Sequence, residues 1–375
     1  MVDLAIRMLL HDKLRFAITV AGVVFAVALV LLQTGLFLGA MDNASIVIDN
    51  AEADLWVTSL YATNVDFAPV FPDAIVNRVR ATPGVARADN LLVSFVTITL
   101  PTGAQELVEV YAMEDFRGWR LPWNVVEGNV ADLRRGPYFL LDESSRKRFG
   151  DFAVGEFRQL VGRRMEVVGR TREAFSFTTT PIAFMSLPFL RSLWSHQLDE
   201  STHYVLVRLA PGADIERVRA ELRRKLPYND VLTRAEWAER SRAYWIEKTG
   251  LGLNMFITVL LGALVGVVIV AQTLYGATME HLREFGTVKA IGGSNSDIYI
   301  ILAKQAAIAA VIGFVAAELP TWALRPVLAT VGLKSVVPMH IHILTFVGTV
   351  VLCLVAATIP FRKISRIDPA LVFRS

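Results

Sequence analysis

The sequence is poor in charged residues and has almost no cysteine. Only 19% of its 375 residues are charged, whereas 54% are hydrophobic, and the mean hydropathy is +0.46. Globular domains carry about 25% charged residues, so this composition excludes an ordinary soluble protein and predicts a membrane protein with room for a soluble domain. The one cysteine, Cys353, excludes an intramolecular disulfide. The formal net charge of only +3 is too small to indicate a nucleic-acid partner.

A phosphate loop for ATP is also missing. No Gly-x-x-x-x-Gly-Lys-Ser/Thr pattern occurs in the sequence, and the pair Gly292-Gly293 is followed by Ser294-Asn, with no lysine to reach a phosphate. We therefore expect no cofactor on this chain and any ATP hydrolysis on another chain.

Patterns for a metal site or a catalytic centre are weak. Met339-His-Ile-His342 contains two histidines without a third ligand nearby, which favours interfacial polar residues over a metal site. Ser195, His196 and Asp199 could be assembled into a hydrolytic set, but no spacing argument places them together. The sequence therefore predicts no catalytic residues and no metal ligands.

Four apolar runs are long enough to cross a membrane, since about 20 helical residues at about 1.5 Å each span a hydrocarbon core of about 30 Å. The first run carries no charge and is longer than the apolar region of a cleaved signal peptide, about 7–15 residues, which favours a retained span. The predicted transmembrane helices are residues 16–40, 251–278, 298–322 and 341–361.

The positions of basic residues predict the orientation of these spans. The loop 323–340 carries only Arg325 and Lys334, whereas the other side of the membrane carries many more basic residues. Because basic residues concentrate on the cytoplasmic side, we expect both termini and segment 279–297 to be cytoplasmic, and residues 41–250 to face the periplasm. The basic residues on the predicted cytoplasmic side are Arg7, Lys13, Arg15, Arg283, Lys289, Arg362, Lys363, Arg366 and Arg374.

Two terminal segments flank the spans. In residues 1–15, Leu4, Met8 and Leu9 fall at near-helical spacing among basic residues, as in an amphipathic helix on the membrane surface. An ordinary charged flank fits the same pattern. Residues 362–375 form the predicted cytoplasmic tail.

The long segment 41–250 mixes charged residues, proline and glycine with short apolar runs, over a length sufficient for one or two domains. We predict an α+β extracytoplasmic domain with two lobes, one formed by 41–127 with 200–250 and a β-rich one formed by 128–199. The predicted strands are 91–100, 106–113, 138–141, 165–168 and 204–209, and the predicted helices are 73–80, 214–226 and 234–248.

The end of this domain leads directly into the second span. Residues 234–248 are helical in pattern, so the membrane helix is predicted to continue outward as a stalk, with Tyr244 and Trp245 in an interfacial aromatic belt. The run Arg146-Lys-Arg148 is interpreted as a solvated charge run on the outer lobe.

A short charged segment joins the second and third spans. Residues 279–297 combine mixed charge, a helical pattern of apolar residues and a Gly-Gly stop. We predict a short helix held to one membrane face at both ends. Such a helix suits a membrane subunit that receives force from a soluble partner.

Two glycine pairs in the spans have the spacing that lets helix backbones approach in lipid. They are Gly35 with Gly39 and Gly262 with Gly266. Both a seam between two copies of the chain and a contact within one copy fit this spacing.

The third span contains two charged residues, Lys304 and Glu318. Charges inside a membrane span ordinarily mark function. Both lie toward the ends of the span, which favours snorkelling to the interface.

Several stretches resemble the FtsX-like, MacB-type permeases of ABC transporters. They are Leu4-Ala-Ile-Arg-Met-Leu and Lys13-Leu-Arg-Phe before the first span, Arg283-Glu-Phe-Gly-Thr-Val-Lys-Ala-Ile-Gly292 after the second, and Ile367-Asp-Pro-Ala-Leu371 at the tail. The order of spans resembles the family over the whole chain. Asp54-Leu-Trp-Val57, with the Gly-Thr-Val-Lys-Ala-Ile-Gly run, is closest in appearance to the DevC branch.

The resemblance implies a homodimeric permease in a bacterial inner membrane, with a coupling helix that docks on a separate ABC ATPase dimer holding ATP and Mg. It also implies that the outer domain acts on substrate outside that membrane, with a periplasmic adaptor and an outer-membrane channel as in DevC-like systems. The implied coupling residues are Arg283, Glu284, Phe285, Gly286 and Lys289. Gly286 would allow close backbone approach and Phe285 would supply an apolar anchor. A solvated cytoplasmic turn is the alternative for this segment.

Three functions fit these features. The leading hypothesis is a non-catalytic permease subunit that transmits ATP-driven movement to its outer domain and so exports or extracts a lipid, glycolipid, peptide or other hydrophobic substrate. The alternatives are an FtsX-like regulator of a cell-wall hydrolase and a membrane-anchored sensor. The size of the outer domain and its two predicted lobes favour the exporter, by analogy with the family.

Overall fold

The computed structural model describes residues 2–194, 199–329 and 332–365. The chain divides into a membrane unit, made of Met1–Leu38, Leu253–Pro326 and Ser335–Ser375, and a domain unit, made of Gly39–Gly252 and Val327–Lys334. The helices are α1 (Val2–His11), α2 (Lys13–Asn43), α3 (Ile46–Asn50), α4 (Ile75–Arg80), α5 (Arg146–Phe149), α6 (Leu187–Leu193), α7 (Ile215–Lys225), α8 (Arg234–Lys248), α9 (Leu251–Glu280), α10 (Leu282–Ala290), α11 (Asn295–Ala329) and α12 (Met339–Ser365). The strands are β1 (Leu55–Ser59), β2 (Phe71–Pro72), β3 (Val85–Thr99), β4 (Gln105–Met113), β5 (Val125–Gly128), β6 (Tyr138–Asp142), β7 (Phe157–Leu160), β8 (Arg163–Thr171), β9 (Ile182–Ser186), β10 (Ser201–Thr202), β11 (Tyr204–Leu209) and β12 (Asn229–Thr233).

Within the described ranges, α2, α9, α11 and α12 are the four helices long and apolar enough to cross a membrane. They contain the four predicted spans, which confirms an α-helical membrane protein with an α+β domain between the first and second spans. Each helix is longer than its apolar run because helical hydrogen bonding continues into the polar flanks. The predicted loop 323–340 therefore begins late: α11 runs through Pro320 and Pro326 to Ala329. A proline removes one backbone hydrogen bond, and a long helix survives this as a local kink.

The third span, α11, is the most enclosed of the four. In the most apolar stretch of α11, 44% of the residues are buried inside the protein, whereas in the corresponding stretches of the other three spans this share is 33% or less. Its buried face consists largely of small residues such as Ala306, Ala310 and Ala317. A Cβ added at Gly313 would lie 2.5 Å from Cγ1 of Val23 on α2. Small residues thus let α2 approach α11 closely, which favours van der Waals packing where lipid offers no hydrophobic driving force.

The domain unit is built on one mixed sheet, with ten strands in the described part of the chain. The strand order is β12-β1-β11-β3-β4-β9-β6-β8-β5, and β7 pairs with β3 and β8. The long strand β3 belongs to both halves, because residues 85–91 pair with β11 and residues 92–99 pair with β4. Most pairs are antiparallel, but β4 with β9 and β6 with β8 are parallel.

The first half of the sheet is covered on both faces. On β1, Leu55 and Val57 point into a core shared with α4 and α7, while Trp56 points into a core shared with α3 and α8. On β11, Val207 lies in the first of these two cores and Leu206 lies in the second. This alternation follows from the two-residue period of a strand.

The predicted lobe boundary between residues 127 and 128 differs from this pairing. β4 falls in the first predicted lobe. It nevertheless pairs with residues 92–99 of β3 and with β9, and one of its faces packs in a core that also contains residues of α6. The second half of the sheet therefore starts at residue 92. Sequence alone does not reveal that one strand is long enough to enter both halves.

The helix of the domain unit that precedes the second span, α8, begins with a capping box. The Thr233 side chain accepts from the Glu236 backbone, and the Glu236 carboxylate accepts from the Thr233 backbone. The predicted aromatic belt is wrong for Trp245, because its ring is buried in the domain unit and stacks on Phe177 with centroids 3.8 Å apart. Only two residues separate the end of α8 from the start of α9.

Candidate functional site

The segment between the second and third spans forms the predicted short helix, α10. Its C-terminus is a Schellman motif, in which the Gly292 amide donates to the Lys289 carbonyl at 3.0 Å and the Gly293 amide to the Val288 carbonyl at 2.8 Å. Gly292 has φ +99°, a conformation that favours glycine. The predicted Gly-Gly stop is therefore confirmed.

The turn after α10 is fixed from the other side as well. The Ser294 amide donates to the Asp297 carboxylate at 2.9 Å, and the Asp297 amide donates to the Ser294 hydroxyl at 3.2 Å. This reciprocal pair starts α11. Together the two motifs give α10 a defined end and a short, ordered connection.

Phe285 holds α10 in the membrane unit. Only 1% of its surface is exposed, and it belongs to one core cluster with Met8, Ile298 and Leu302. Gly286 beside it is also buried. The interpretation of Phe285 as an anchor offered to a partner is therefore wrong, since its ring fills the core of its own subunit.

The exposed face of α10 presents a different apolar residue. Arg283, Glu284 and Thr287 are exposed, and the Ile291 side chain, one turn further on, is 81% exposed. Lys289 is half-buried. Ile291 is absent from the predicted coupling residues because an isoleucine in a helical pattern is usually assigned to the buried face.

Two pairs of side chains connect α10 and its flank to the N-terminal segment. The Glu280 carboxylate pairs with Arg15, and the His281 ring meets the His11 ring edge-on at 6.3 Å. His281 Nδ1 also lies 3.1 Å from the Glu284 carboxylate. Burial alone would raise the pKa of Glu284, but hydrogen bonds from His281 and the backbone outweigh it and lower that pKa.

The N-terminal segment is the predicted helix, α1. Ala5 and Met8 are buried in the core of the membrane unit, whereas Arg7 and Ile6 are exposed. The amphipathic pattern is thus confirmed as a helix. Its position on a membrane surface stays a prediction.

The glycine pair on α9 contacts α2 of the same chain. A Cβ added at Gly262 would lie 2.5 Å from Cδ2 of Leu29, and one at Gly266 would lie 2.8 Å from Cβ of Ala26. Both distances are shorter than side chains tolerate. These glycines therefore serve helix packing within one subunit.

The glycine pair on α2 contacts the segment before α12. A Cβ at Gly35 would lie 2.5 Å from Oγ of Ser335, and one at Gly39 would lie 1.9 Å from the carbonyl oxygen of Lys334. All four glycines are thus occupied by their own chain. A seam between two subunits would have to use other residues.

The charged residues of the third span have partial burial and a local partner. Glu318 lies 3.0 Å from His342 Nδ1 on α12, and Lys304 is half-buried. Among the described residues, no group of three or more His, Cys, Asp or Glu side chains could hold a metal ion. Ser195, His196 and the tail motif 367–371 lie outside the described residues.

A buried carboxyl pair in the domain unit was missed by the sequence analysis. Asp66 and Glu109 are both buried, and Tyr111 Oη donates to Glu109 at 3.0 Å. Burial raises the pKa of Asp66 to about 7, and burial together with the Asp66 charge raises the pKa of Glu109 well above its usual value. The available signal is a glutamate in the apolar strand Leu107-Val-Glu-Val-Tyr111. At neutral pH this pair retains at least one proton.

Comparisons with known proteins cover both units. The chain matches the family described as MacB-like periplasmic core domain over residues 16–225 and that described as FtsX-like permease C-terminal over residues 256–369. An uncharacterized ABC transporter permease of Mycobacterium tuberculosis strain H37Rv is 26% identical over 98% of this chain and 98% of its own length. A second one from that strain is 26% identical over 96% of this chain and 95% of its own.

Two solved structures are similar to part of the chain. The periplasmic region of MacB from Actinobacillus actinomycetemcomitans superposes with a TM-score of 0.40 and 9% identity, over 50% of this chain and 92% of that one. The extracellular domain of the ABC-type transporter YknZ from Gram-positive bacteria gives a TM-score of 0.36 and 13% identity, over 48% of this chain and 99% of that one.

The resemblance seen in the motifs that flank the spans is thereby confirmed, while placement in the DevC branch stays a prediction. The two family matches cover most of the sequence, including most of the domain between the first two spans and the segment that contains α10. The chain is a multi-pass membrane protein that belongs to the FtsX-like, MacB-type permeases of ABC transporters, a family whose members work with an ATPase.

Proposed function

We propose that this chain is the permease subunit of a mechanotransmitting ABC exporter in a bacterial inner membrane, with both termini in the cytoplasm. A separate ATPase dimer holds ATP and Mg, and this chain carries no catalytic residue. ATP-driven movement reaches the domain unit, which exports or extracts a lipid, glycolipid, peptide or other hydrophobic substrate. A homodimer, a periplasmic adaptor and an outer-membrane channel complete the proposed assembly.

The division of α10 into a buried face and an exposed face carries this proposal. Phe285 holds the helix in the core of the membrane unit, and Ile291 extends into solvent at its end. A large exposed aliphatic side chain among charged residues is suited to a pocket on a partner, where buried apolar contacts supply much of the binding energy. Because the helix is held in the core, a force applied to this face acts on the core.

Chain continuity supports the transmission step. One residue separates α9 from α10, and two residues separate α8 from α9. α8 packs in the domain unit through Trp237, which is fully buried. A displacement of α10 therefore has a continuous route along α9, with only short linkers at its two ends, to an element of the domain core.

The ATPase contact is tested with Ile291→Asp. The substitution places a charge where the proposal requires an apolar contact, and we expect co-purification of the ATPase to fall about tenfold or more, since each 1.4 kcal/mol is a factor of about ten. The matched control is Tyr228→Asp, which adds the same charge at a side chain that is 82% exposed in the domain unit. Thermal unfolding in detergent should be unchanged in both variants, because exposed substitutions alter stability by only about ±0.5 kcal/mol. If the Ile291→Asp variant co-purified as much ATPase as the wild type does, α10 would not be part of the ATPase contact.

Export and hydrolase regulation share this coupling step and need a separate test. In the exporter, loss of the permease leaves a hydrophobic compound in the membrane or cell, and a coupling-deficient Ile291→Asp variant does not restore its release. Lipid and metabolite extracts of the deletion strain, complemented with wild type or variant, give the measurement. Normal extracts with an altered rate of cell-wall hydrolysis would favour the regulator.

A further inference from the structure

The domain unit contains an open cleft of about 600 Å³. One wall is formed by the start of α5 with the residues before it and by segment 172–175. The other is formed by Ala329 at the end of α11 and by residues 332–334. Asn43, the last residue of α2, also lines it. The cleft is large enough for the polar head of a lipid.

The walls of the cleft carry more positive than negative charge. Its basic residues are Arg146, Lys147, Arg172 and Lys334, and its acidic residues are Glu143 and Glu173. Two of the basic residues are already paired, Arg172 with Glu143 and Lys334 with Asp42.

Within the described part of the chain, the side chains of Arg146 and Lys147 have no hydrogen bond or ion pair. The Nε atom of Arg146 is buried without a partner, although its guanidinium group lies over the Phe152 ring at 5.9 Å. Neither side chain has an acceptor within the described chain, and an anion bound in the cleft would supply one. Arg146 and Lys147 carry two positive charges, and Glu173 carries one negative charge. Together they leave one net positive charge, which matches the single negative charge of a phosphodiester.

The position of the cleft along the chain places it at the depth of lipid head groups. The apolar run of the first span ends at Ala40, so Asn43 lies about 4.5 Å further along the helix at a rise of about 1.5 Å per residue. The head-group layer is about 5–8 Å thick on each side of the hydrocarbon core. Gly39 fixes the opposite wall here, because its missing side chain admits the Lys334 carbonyl.

The cleft also has an apolar side. Phe175 and Leu333 line it, and Gly332, at φ +77°, brings the chain close enough that an added Cβ would lie 3.3 Å from the Phe175 ring. Two unpaired cations beside an aromatic and an aliphatic side chain are suited to the junction between a phosphate and a glycerol backbone. A soluble phosphate would need only the two cations and not the apolar side chains.

We propose that this cleft binds the head group of an anionic membrane phospholipid. Arg146 and Lys147 pair with the phosphate, and Phe175 and Leu333 contact the glycerol and the first acyl carbons. Binding requires neither ATP nor a transported substrate, so it goes beyond the transport proposal and holds or fails separately from it.

The test compares lipid binding by purified full-length wild type and the double variant Arg146→Gln, Lys147→Gln. The ligands are phosphatidylglycerol, phosphatidylcholine and inorganic phosphate, and native mass spectrometry or tryptophan quenching in mixed micelles at low salt measures binding. We expect wild type to prefer phosphatidylglycerol and the double variant to bind it about tenfold or more weakly, since each basic residue near an anionic lipid contributes about a factor of five.

A matched control separates this site from general charge. Arg78→Gln with Arg217→Gln removes two positive charges from exposed positions of the same unit and should leave binding unchanged. The single variant Lys147→Gln, at an exposed residue, keeps the test valid if Arg146→Gln unfolds the protein, and should weaken binding about fivefold. The proposal is wrong if the double variant binds like wild type, if the control loses as much, if phosphatidylcholine binds equally well, or if inorganic phosphate displaces the lipid at equal concentration.

Discussion

At the scale of single residues, the largest departure from expectation is the carboxyl pair in the domain core. Glu109 lies on a strand that the sequence predicted correctly, but no local signal shows that Asp66, from a loop 43 positions earlier, lies beside it. Periodicity reports which face of a strand is buried and says nothing about the partner across the core. Phe285 and Ile291 illustrate the same limit, because the helix was predictable and the choice of its buried residue was not.

The Asp66 carboxyl makes the stability of the domain unit depend on pH. Its folded pKa of about 7 exceeds the ordinary value of 3.8, so between these values the folded protein holds a proton that the unfolded chain releases. This contribution to stability falls as the pH rises from about 4 to about 7 and is constant above that range. Asp66→Asn should therefore be more stable than wild type at pH 8, by on the order of 4 kcal/mol, and the difference should shrink toward pH 4.

Thermal unfolding of the full-length protein between pH 4 and pH 8 gives this measurement. The control is Glu239→Gln, which makes the same chemical change at an exposed carboxyl and should shift stability little at any pH. A constant difference between Asp66→Asn and wild type across the range would show that the Asp66 pKa is ordinary.

At the scale of elements, apolar composition and helical periodicity were sufficient to predict most helices. The four spans, the capping box at Thr233 and the glycine stop after α10 all depend on residues adjacent in sequence. Strands were harder: β1 is buried on both faces, so it lacks the alternation that marks a half-buried strand. The division into lobes failed at β4, because pairing is a long-range property that a single sequence does not show.

Helix packing in the membrane unit gives a prediction at this scale. Gly262→Leu should lower thermal stability, because its first side-chain atom would meet Leu29 at 2.5 Å and force α2 and α9 apart. Gly348→Leu on α12 is the matched control, since no atom lies within 4 Å of a Cβ added there. Overpacking ordinarily costs about 1–3 kcal/mol.

Crosslinking of the proposed homodimer should accompany these melting curves. If Gly262 serves packing within one subunit, the yield of crosslinked dimer in the Gly262→Leu variant should fall only in proportion to its folded fraction. If the Gly262→Leu protein folds but no longer forms a crosslinked dimer, Gly262 lies at a seam between subunits.

At the scale of the whole molecule, the orientation in the membrane depends on charge bias and on the number of spans. A reporter active only outside the cytoplasm, fused after Gly103, should be active, and the same reporter fused after Gly293 should be inactive. Gly103 lies in an exposed turn with open space around it, so a reporter joined there meets no neighbouring side chain. Activity after Gly293 would place α10 outside and exclude it from contact with an ATPase.

The proposed function requires that ATP acting through the ATPase at α10 moves the domain unit. Distances between spin labels at Tyr228→Cys in the two subunits of the proposed dimer, with Cys353 replaced by Ala, measure this movement most directly. Tyr228 is 82% exposed and outside every contact discussed above, so the label reports movement without disturbing packing. In complex with the ATPase, we expect the distance distribution to shift when ATP is trapped, and to stay at its nucleotide-free position in the Ile291→Asp variant. An unchanged distribution in wild type with trapped ATP, or an equal shift in the variant, would contradict the account.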